Sequence, residues 1–138
     1  MKIGAIQNGL VIDHITAGRS MELYELLGLA NADCQVALIQ NAASVKMGRK
    51  DIIKIAGELP VDLNVIAYVD PHATVSIIRD GALVEKKALQ PPKRLVNVLR
   101  CQNPRCITST EQELEQVFVL TDPENGVYRC LYCEAQAK

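Results

Sequence analysis

Cys101-Gln-Asn-Pro-Arg-Cys106 and, 23 residues further on, Cys130-Leu-Tyr-Cys133 hold four of the five cysteines of this chain in two close pairs. Each pair can offer two sulfurs from one tight turn. A hairpin folded between them would close the four sulfurs into a tetrahedron, the sequence form of a four-thiolate zinc site. Asn103-Pro104 suits a backbone knuckle wrapped around a cation. The alternatives are two disulfides or four unrelated buried thiols. Zinc is the better reading, because nothing marks the chain as secreted and cytosolic thiols are kept reduced. Four protein ligands leave no open coordination position, so the expected ion, one per chain, is structural.

Working outward, the segment before the first pair is Leu89-Gln-Pro-Pro-Lys93. Consecutive prolines continue neither a sheet nor a helix and stiffen a linker. A boundary there gives two domains, 1–92 and 93–138. In the second, Val117 to Leu120 and Gly126 to Arg129 read as a hairpin around Asp122-Pro-Glu-Asn-Gly126. The result is a small all-β zinc module, with too little core to be stable without its metal.

In the first domain, residues 3–7 and 10–16 are short apolar runs split by Asn8-Gly9, a strong hairpin signal. Arg19 to Leu27 carries Met21, Tyr24 and Leu27 at helical spacing, with Leu23 and Leu26 beside them. Thr16 or Ser20 would cap its start, and Gly28 would end it at a positive-φ position. Cys34 to Ala42 and Asp51 to Ala56 read as strands, separated by a polar connection. Val61 to Val69 reads as a second helix, stopped by Asp70-Pro71. Thr74 to Arg79 and Ala82 to Ala88 flank Asp80-Gly81, a two-residue hairpin turn. This order predicts an α+β fold, a ferredoxin-like antiparallel sheet with two helices on one face. Cys34, the odd cysteine, is expected as a buried small apolar residue.

The 138 residues carry a formal net charge of −1. Neither half has the basic excess of a nucleic-acid binder. A zinc-ribbon nucleic-acid-binding protein is still the alternative reading, since Arg100 and Arg105 flank the first cysteine pair. Met1 to Ile12 has no signal-peptide pattern, and no apolar run is long enough to span a membrane, so a cytoplasmic location is expected.

The pair Asp13-His14 invites a hydrolytic reading, but no nucleophile in a suitable turn accompanies it. A binding role fits better: Asp13 can accept from a ribose hydroxyl, and a protonated His14 can donate to a phosphate. Lys46, Arg49, Lys50 and Lys54 form one basic cluster, Lys86 and Lys87 another. Any single lysine here reads first as solvated charge. Strand alternation sets Lys54 with Ile52, opposite the face of Ile53 and Ile55. If Lys54 and Lys86 share a pocket with His14, that pocket suits an anion such as a triphosphate. There is no Walker A loop and no GxGxxG.

Val11-Ile-Asp-His-Ile15, Met47-Gly-Arg-Lys-Asp-Ile-Ile-Lys-Ile55, Pro71-x-Ala-Thr-Val75, Asn97-Val-Leu99 and the Cys101…Cys106…Cys130-x-Tyr-Cys-Glu134 pattern together resemble the regulatory chain of aspartate carbamoyltransferase. The likeness covers nearly the whole chain, in order and with matching spacing. It implies a non-catalytic allosteric subunit of pyrimidine biosynthesis, inhibited through CTP and activated through ATP. It implies an N-terminal nucleotide domain that forms a homodimer and a zinc domain that docks on catalytic trimers, three regulatory dimers bridging two trimers. By position, Asp13, His14, Lys54 and Lys86 match nucleotide-contacting residues, and Ile3, Ala5, Ile6, Ile78 and Leu83 match the base and ribose pocket. Asn103 and Glu134 match residues facing the catalytic chain. The sequence departs from the pattern at Gly4, Ser76 and Gly81, which bears on selectivity among CTP, ATP and UTP. It departs also at Arg105, expected at the catalytic-chain contact.

Overall fold

A computed structural model describes residues 7–137. The chain divides into two compact units, residues 1–90 and 91–138.

The first unit is a five-stranded antiparallel sheet of order β2-β3-β1-β4-β5. Its elements run β1 (Gly9–Thr16), α1 (Ser20–Leu26), β2 (Gln35–Ser44), β3 (Gly48–Ala56), α2 (Leu63–Val69), β4 (Thr74–Arg79) and β5 (Ala82–Ala88). The first four strands and the two helices form the expected ferredoxin-like unit, and β5 extends it at one edge. One face of the sheet is sealed. Ile12 and Ile15 of β1, Ile53 and Ile55 of β3 and Val75 of β4 are fully buried, as are Leu23 of α1 and Ile66 of α2. Alternation along each strand leaves the other face half-covered.

The Asn8-Gly9 signal does not make the expected hairpin. Leu10, Val11 and Ile12 pair with β3 on one side and with β4 on the other. β1 therefore has no free edge for residues 3–7, of which 3–6 lie outside the described residues. Gly9 is required for a different reason. A Cβ there would sit 2.0 Å from the carbonyl oxygen of Ile55, so the backbones meet too closely for any side chain. Asp80-Gly81 does form the β4–β5 turn, with φ of 53° and 77° at its two residues. Positive φ at both central positions is the type I′ pattern that matches strand twist.

Helix α1 is rotated from the face its apolar spacing suggested. Met21 is 47% exposed, whereas Ser20 and Leu23 are fully buried. The cause is Asp51, a fully buried carboxylate on β3. Its Oδ2 accepts from Ser20 Oγ at 2.6 Å, from Gly18 N at 3.0 Å and from Ser20 N at 3.3 Å. Neither Thr16 nor Ser20 caps the helix as expected: Arg19 holds the N-cap position without a side-chain bond, and Asp51 meets the free amides from another strand. Gly28 follows the helix at φ 66°, as its position predicted. Helix α2 starts later than its pattern, capped by Asp62, whose carboxylate accepts from Asn64 N at 2.9 Å. Cys34 is half-buried, not buried.

The second unit is a three-stranded sheet of order β6-β7-β8, from β6 (Arg94–Val96), β7 (Val117–Asp122) and β8 (Val127–Cys130). A four-residue helix, α3 (Ile107–Thr110), follows the first cysteine pair. Its core is slight, with Leu95, Val117, Phe118 and Tyr128 the buried apolar residues beside Cys106 and Cys130.

Candidate functional site

The open face of the first unit gathers most of the expected ligand residues. Directly opposed residues on neighbouring strands point to the same face. Ala37, Lys54, Val11, Ser76 and Lys86 are opposed in turn across all five strands. Lys54 and Lys86 therefore stand in one row, three strand spacings or about 14 Å apart at the backbone, on the face the helices leave uncovered. A parallel row holds Gly9, Ile78 and Leu83, and another holds Asp13, Thr74 and Ala88. Lys86 and Leu83 are exposed, while Lys54 and Ile78 are half-buried. Ile3, Ala5 and Ile6, with Gly4, lie outside the described residues.

A β-bulge shapes the centre of this face. Ile12 opposes Ile53, but Ile15 opposes Asp51, so β1 carries one extra residue at Asp13-His14. His14 takes φ 58° there. Its Nδ1 lies 3.0 Å from Thr74 Oγ1, and its backbone N–H donates to Asp13 Oδ1 at 2.6 Å. Lys50 Nζ reaches the same oxygen at 2.9 Å. Burial alone would raise the Asp13 pKa. The hydrogen bonds from Lys50 and the His14 amide, with the nearby positive charge, outweigh it and hold the carboxyl below its ordinary value of 3.8.

Lys50 thus joins this constellation from the basic cluster that it forms in sequence with Lys46, Arg49 and Lys54. The available signal was its period-two spacing with Ile52 and Lys54. It was obscured because β3 begins at Gly48, three residues before the expected start. Thr74 had no signal in its own sequence, since only the pairing with β1 brings it to His14. A pocket of about 340 Å³ opens at the end of β1 and β4, lined by Gly9, Leu10, Leu59, Ile77, Ile78 and Arg79. Of the expected ligand residues that are described, Ile78 lines it.

The second site is the thiol cluster. Cys101, Cys106, Cys130 and Cys133 place their sulfurs within 4.8 Å of one another. Cys101 and Cys133 are 3.5 Å apart at sulfur, Cys106 and Cys130 3.7 Å. A sulfur tetrahedron around a zinc-sized ion has edges of about 3.8 Å, whereas a disulfide needs about 2.05 Å. All five cysteines are free thiols. The sulfur spacing matches a thiolate-bound cation and is far from a disulfide's.

The knuckles are built from backbone. Asn103 N–H bonds to the Cys101 sulfur, and Tyr132 and Cys133 N–H bond to that of Cys130. Thr108 Oγ1 lies 3.1 Å from the Cys106 sulfur. The backbone bond from Ala135, reinforced by the Asn103 side chain against a small burial penalty, brings the Cys133 thiol down to about 6. Burial pushes Cys101 up to about 12. Without a cation the four sulfurs would therefore not all be thiolates together, and a bound cation supplies the missing charge.

Of the three residues expected at the catalytic chain, Asn103 is half-buried in the first knuckle. Its carbonyl accepts from Cys106 N at 3.1 Å and Ser109 Oγ at 2.8 Å, and its Oδ1 accepts from Arg105 N at 3.0 Å. Arg105 and Glu134 are exposed. Ile107, Leu131 and Tyr132, next in sequence to three of the clustered cysteines, are also exposed.

Two family models match the chain. The aspartate carbamoyltransferase regulatory chain, allosteric domain, matches residues 1–90, and the metal binding domain of the same regulatory chain matches residues 93–138. The aspartate carbamoyltransferase regulatory chain of Clostridium botulinum is 48% identical over 134 residues, covering 97% of this chain and 92% of that one. That of Clostridium tetani is 45% identical over 135 residues, covering 97% and 94%. That of Bifidobacterium longum is 44% identical over 138 residues, covering 100% and 99%. A sheet with one open face, a four-cysteine cluster in a separate small unit and this likeness over the full length lead to one conclusion: the chain belongs to the aspartate carbamoyltransferase regulatory-chain family, a non-catalytic allosteric subunit with a metal-binding domain.

Proposed function

We propose that this chain senses nucleotides on the open face of its N-terminal sheet and transmits the result to the catalytic chain of aspartate carbamoyltransferase. CTP acts as inhibitor and ATP as activator, with UTP a further candidate ligand. Residues 1–92 form the nucleotide domain and pair it into a homodimer. Residues 93–138 hold one structural Zn2+ on Cys101, Cys106, Cys130 and Cys133 and dock on the catalytic chain through Asn103, Arg105 and Glu134. The zinc keeps the knuckles in shape. The subunit works in the cytoplasm, and no helix of the described residues is long and apolar enough to cross a membrane.

The observation that supports the nucleotide reading is the shared row of Lys54 and Lys86 beside the Asp13–Lys50 ion pair. Lysine ammonium groups on an open face suit phosphates, the Asp13 carboxylate suits a ribose hydroxyl, and Ile78 with Leu83 offers apolar contact to a base. An effector can shift activity only by binding the two enzyme states differently, so these contacts must change between states. Each charge-assisted bond to phosphate contributes about 1.5–3 kcal/mol. The K54A/K86A double variant, assembled with catalytic chain, should therefore raise the Kd for CTP about a hundredfold while assembly persists. Titration calorimetry of the complex measures it, and an unchanged Kd would sink this site.

A further inference from the structure

Five residues, 89–93, join β5 to β6. Pro91 and Pro92 have fixed φ and no N–H, and a residue before a proline is confined to extended conformations. More than proline stiffness holds the second half of this linker. The hydroxyl of Tyr128 donates to the carbonyl of Pro92 at 2.6 Å, and Leu120 N donates to the carbonyl of Lys93 at 2.9 Å. Tyr128 is only 2% exposed. It sits on β8, opposite Leu120 and two residues before Cys130. The strand that carries a metal-ligating cysteine thus also grips the linker. From Pro92 onward the linker belongs to the metal-binding unit, and the joint shortens from five residues to Leu89, Gln90 and Pro91.

We propose that Tyr128 is a positioning residue for allosteric transmission: its hydroxyl latches Pro92 to the metal-binding unit, so that movement of the nucleotide unit is passed on instead of being absorbed by the linker. Coupling between two sites requires that a change at one alter the energy of the other. A five-residue connector absorbs more of such a change than a three-residue joint that is stiffened by proline. Because β8 bears Cys130, the same metal that shapes the docking surface also sets the latch.

The proposal rests on the nucleotide reading above for its effector, but the latch has its own readout. Tyr128→Phe removes only the hydroxyl and keeps the buried ring. In the free regulatory chain with its metal bound, this variant should speed tryptic cleavage after Lys93 or Arg94 at least threefold. In the complex with catalytic chain, metal content and CTP Kd should stay within twofold of wild type. The ratio of activities without and with saturating CTP, at sub-saturating aspartate, should fall at least threefold toward one. A second variant, Gly-Gly inserted after Gln90, leaves the latch intact and lengthens the joint; it should lower the same ratio without faster cleavage. Unchanged cleavage in Tyr128→Phe overturns the latch even if no nucleotide binds. A full CTP response in either variant overturns its role in transmission. Loss of metal in Tyr128→Phe in parallel with the response would reduce Tyr128 to a structural residue. If wild-type complex ignores every nucleotide, the nucleotide reading and the latch's role in its transmission both fail, while cleavage still decides the latch itself.

Discussion

The two units of this chain solve the problem of staying folded in opposite ways. The first seals one face of a five-stranded sheet with two short helices, and its core includes Ile12, Ile15, Leu23, Ile53, Ile55, Ile66, Val69 and Val75. The second has Leu95, Val117, Phe118 and Tyr128 for an apolar core and depends on four converging sulfurs. One is held by area removed from water, the other by coordination. In the first unit the buried residues lie on the face that the helices cover, and the other face carries no part of that core. The division also makes the shape of the second unit conditional on a metal.

Metal removal is the strongest way to break this comparison. Structural zinc contributes about 10–16 kcal/mol to small zinc-dependent folds. A strong chelator, or Cys106→Ala, should unfold residues 93–137 while residues 9–88 keep their dispersed amide signals in NMR spectra. Collapse of both units together would show that the division is false. Ile53→Ala tests the other side. Truncating this fully buried side chain should cost about 3 kcal/mol, read as a lower urea midpoint of the first unit with metal content unchanged.

Asp51→Asn sharpens the picture of the first unit. Burial alone would raise the Asp51 pKa, but the bond from the Ser20 hydroxyl and those from the Asn41, Gly18 and Ser20 amides more than offset it, holding the carboxyl below 3.8. A depressed native pKa stabilises the fold above the unfolded value, and that contribution is lost as pH falls through the native value. Wild type should therefore lose stability increasingly steeply below about pH 4. The Asn variant should be about 2 kcal/mol less stable at pH 7 and show a flatter acid limb in urea melts. Smallest is Asp62→Ala, which removes the α2 cap and should cost about 1 kcal/mol without affecting metal content.

The same contrast governs what could be read in advance. The metal site was legible because close cysteine pairs are local signals, and a tetrahedron needs little else. β4, β5 and their Asp80-Gly81 turn were legible for the same reason. The placement of β1 was not. Asn8-Gly9 signals a hairpin only when the flanking run keeps a free edge, and β3 and β4 take both edges of β1. In sequence Asp51 reads simply as the first residue of a strand. Its partners Gly18, Ser20 and Asn41 meet it only after the sheet has formed. The bulge at Asp13-His14, and with it the roles of Lys50 and Thr74, likewise depends on pairing between distant strands.

The central position of β1 has a consequence for how the sheet comes into being. β2 with β3 and β4 with β5 are hairpins closed by short turns, which form in microseconds. β1 must wait for partners as distant as Ile55 and Ile77, and loop closure of that length is paid before any contact rewards it. Contact order therefore favours two hairpins first, with β1 slotted between them last. Asp13, His14 and Val11 join Lys54, Ser76 and Lys86 only at that final step. In that order the lysines of β3 and β5 are in place before the strand that lies between their hairpins, and the Asp13–Lys50 ion pair is the last part of this face to form.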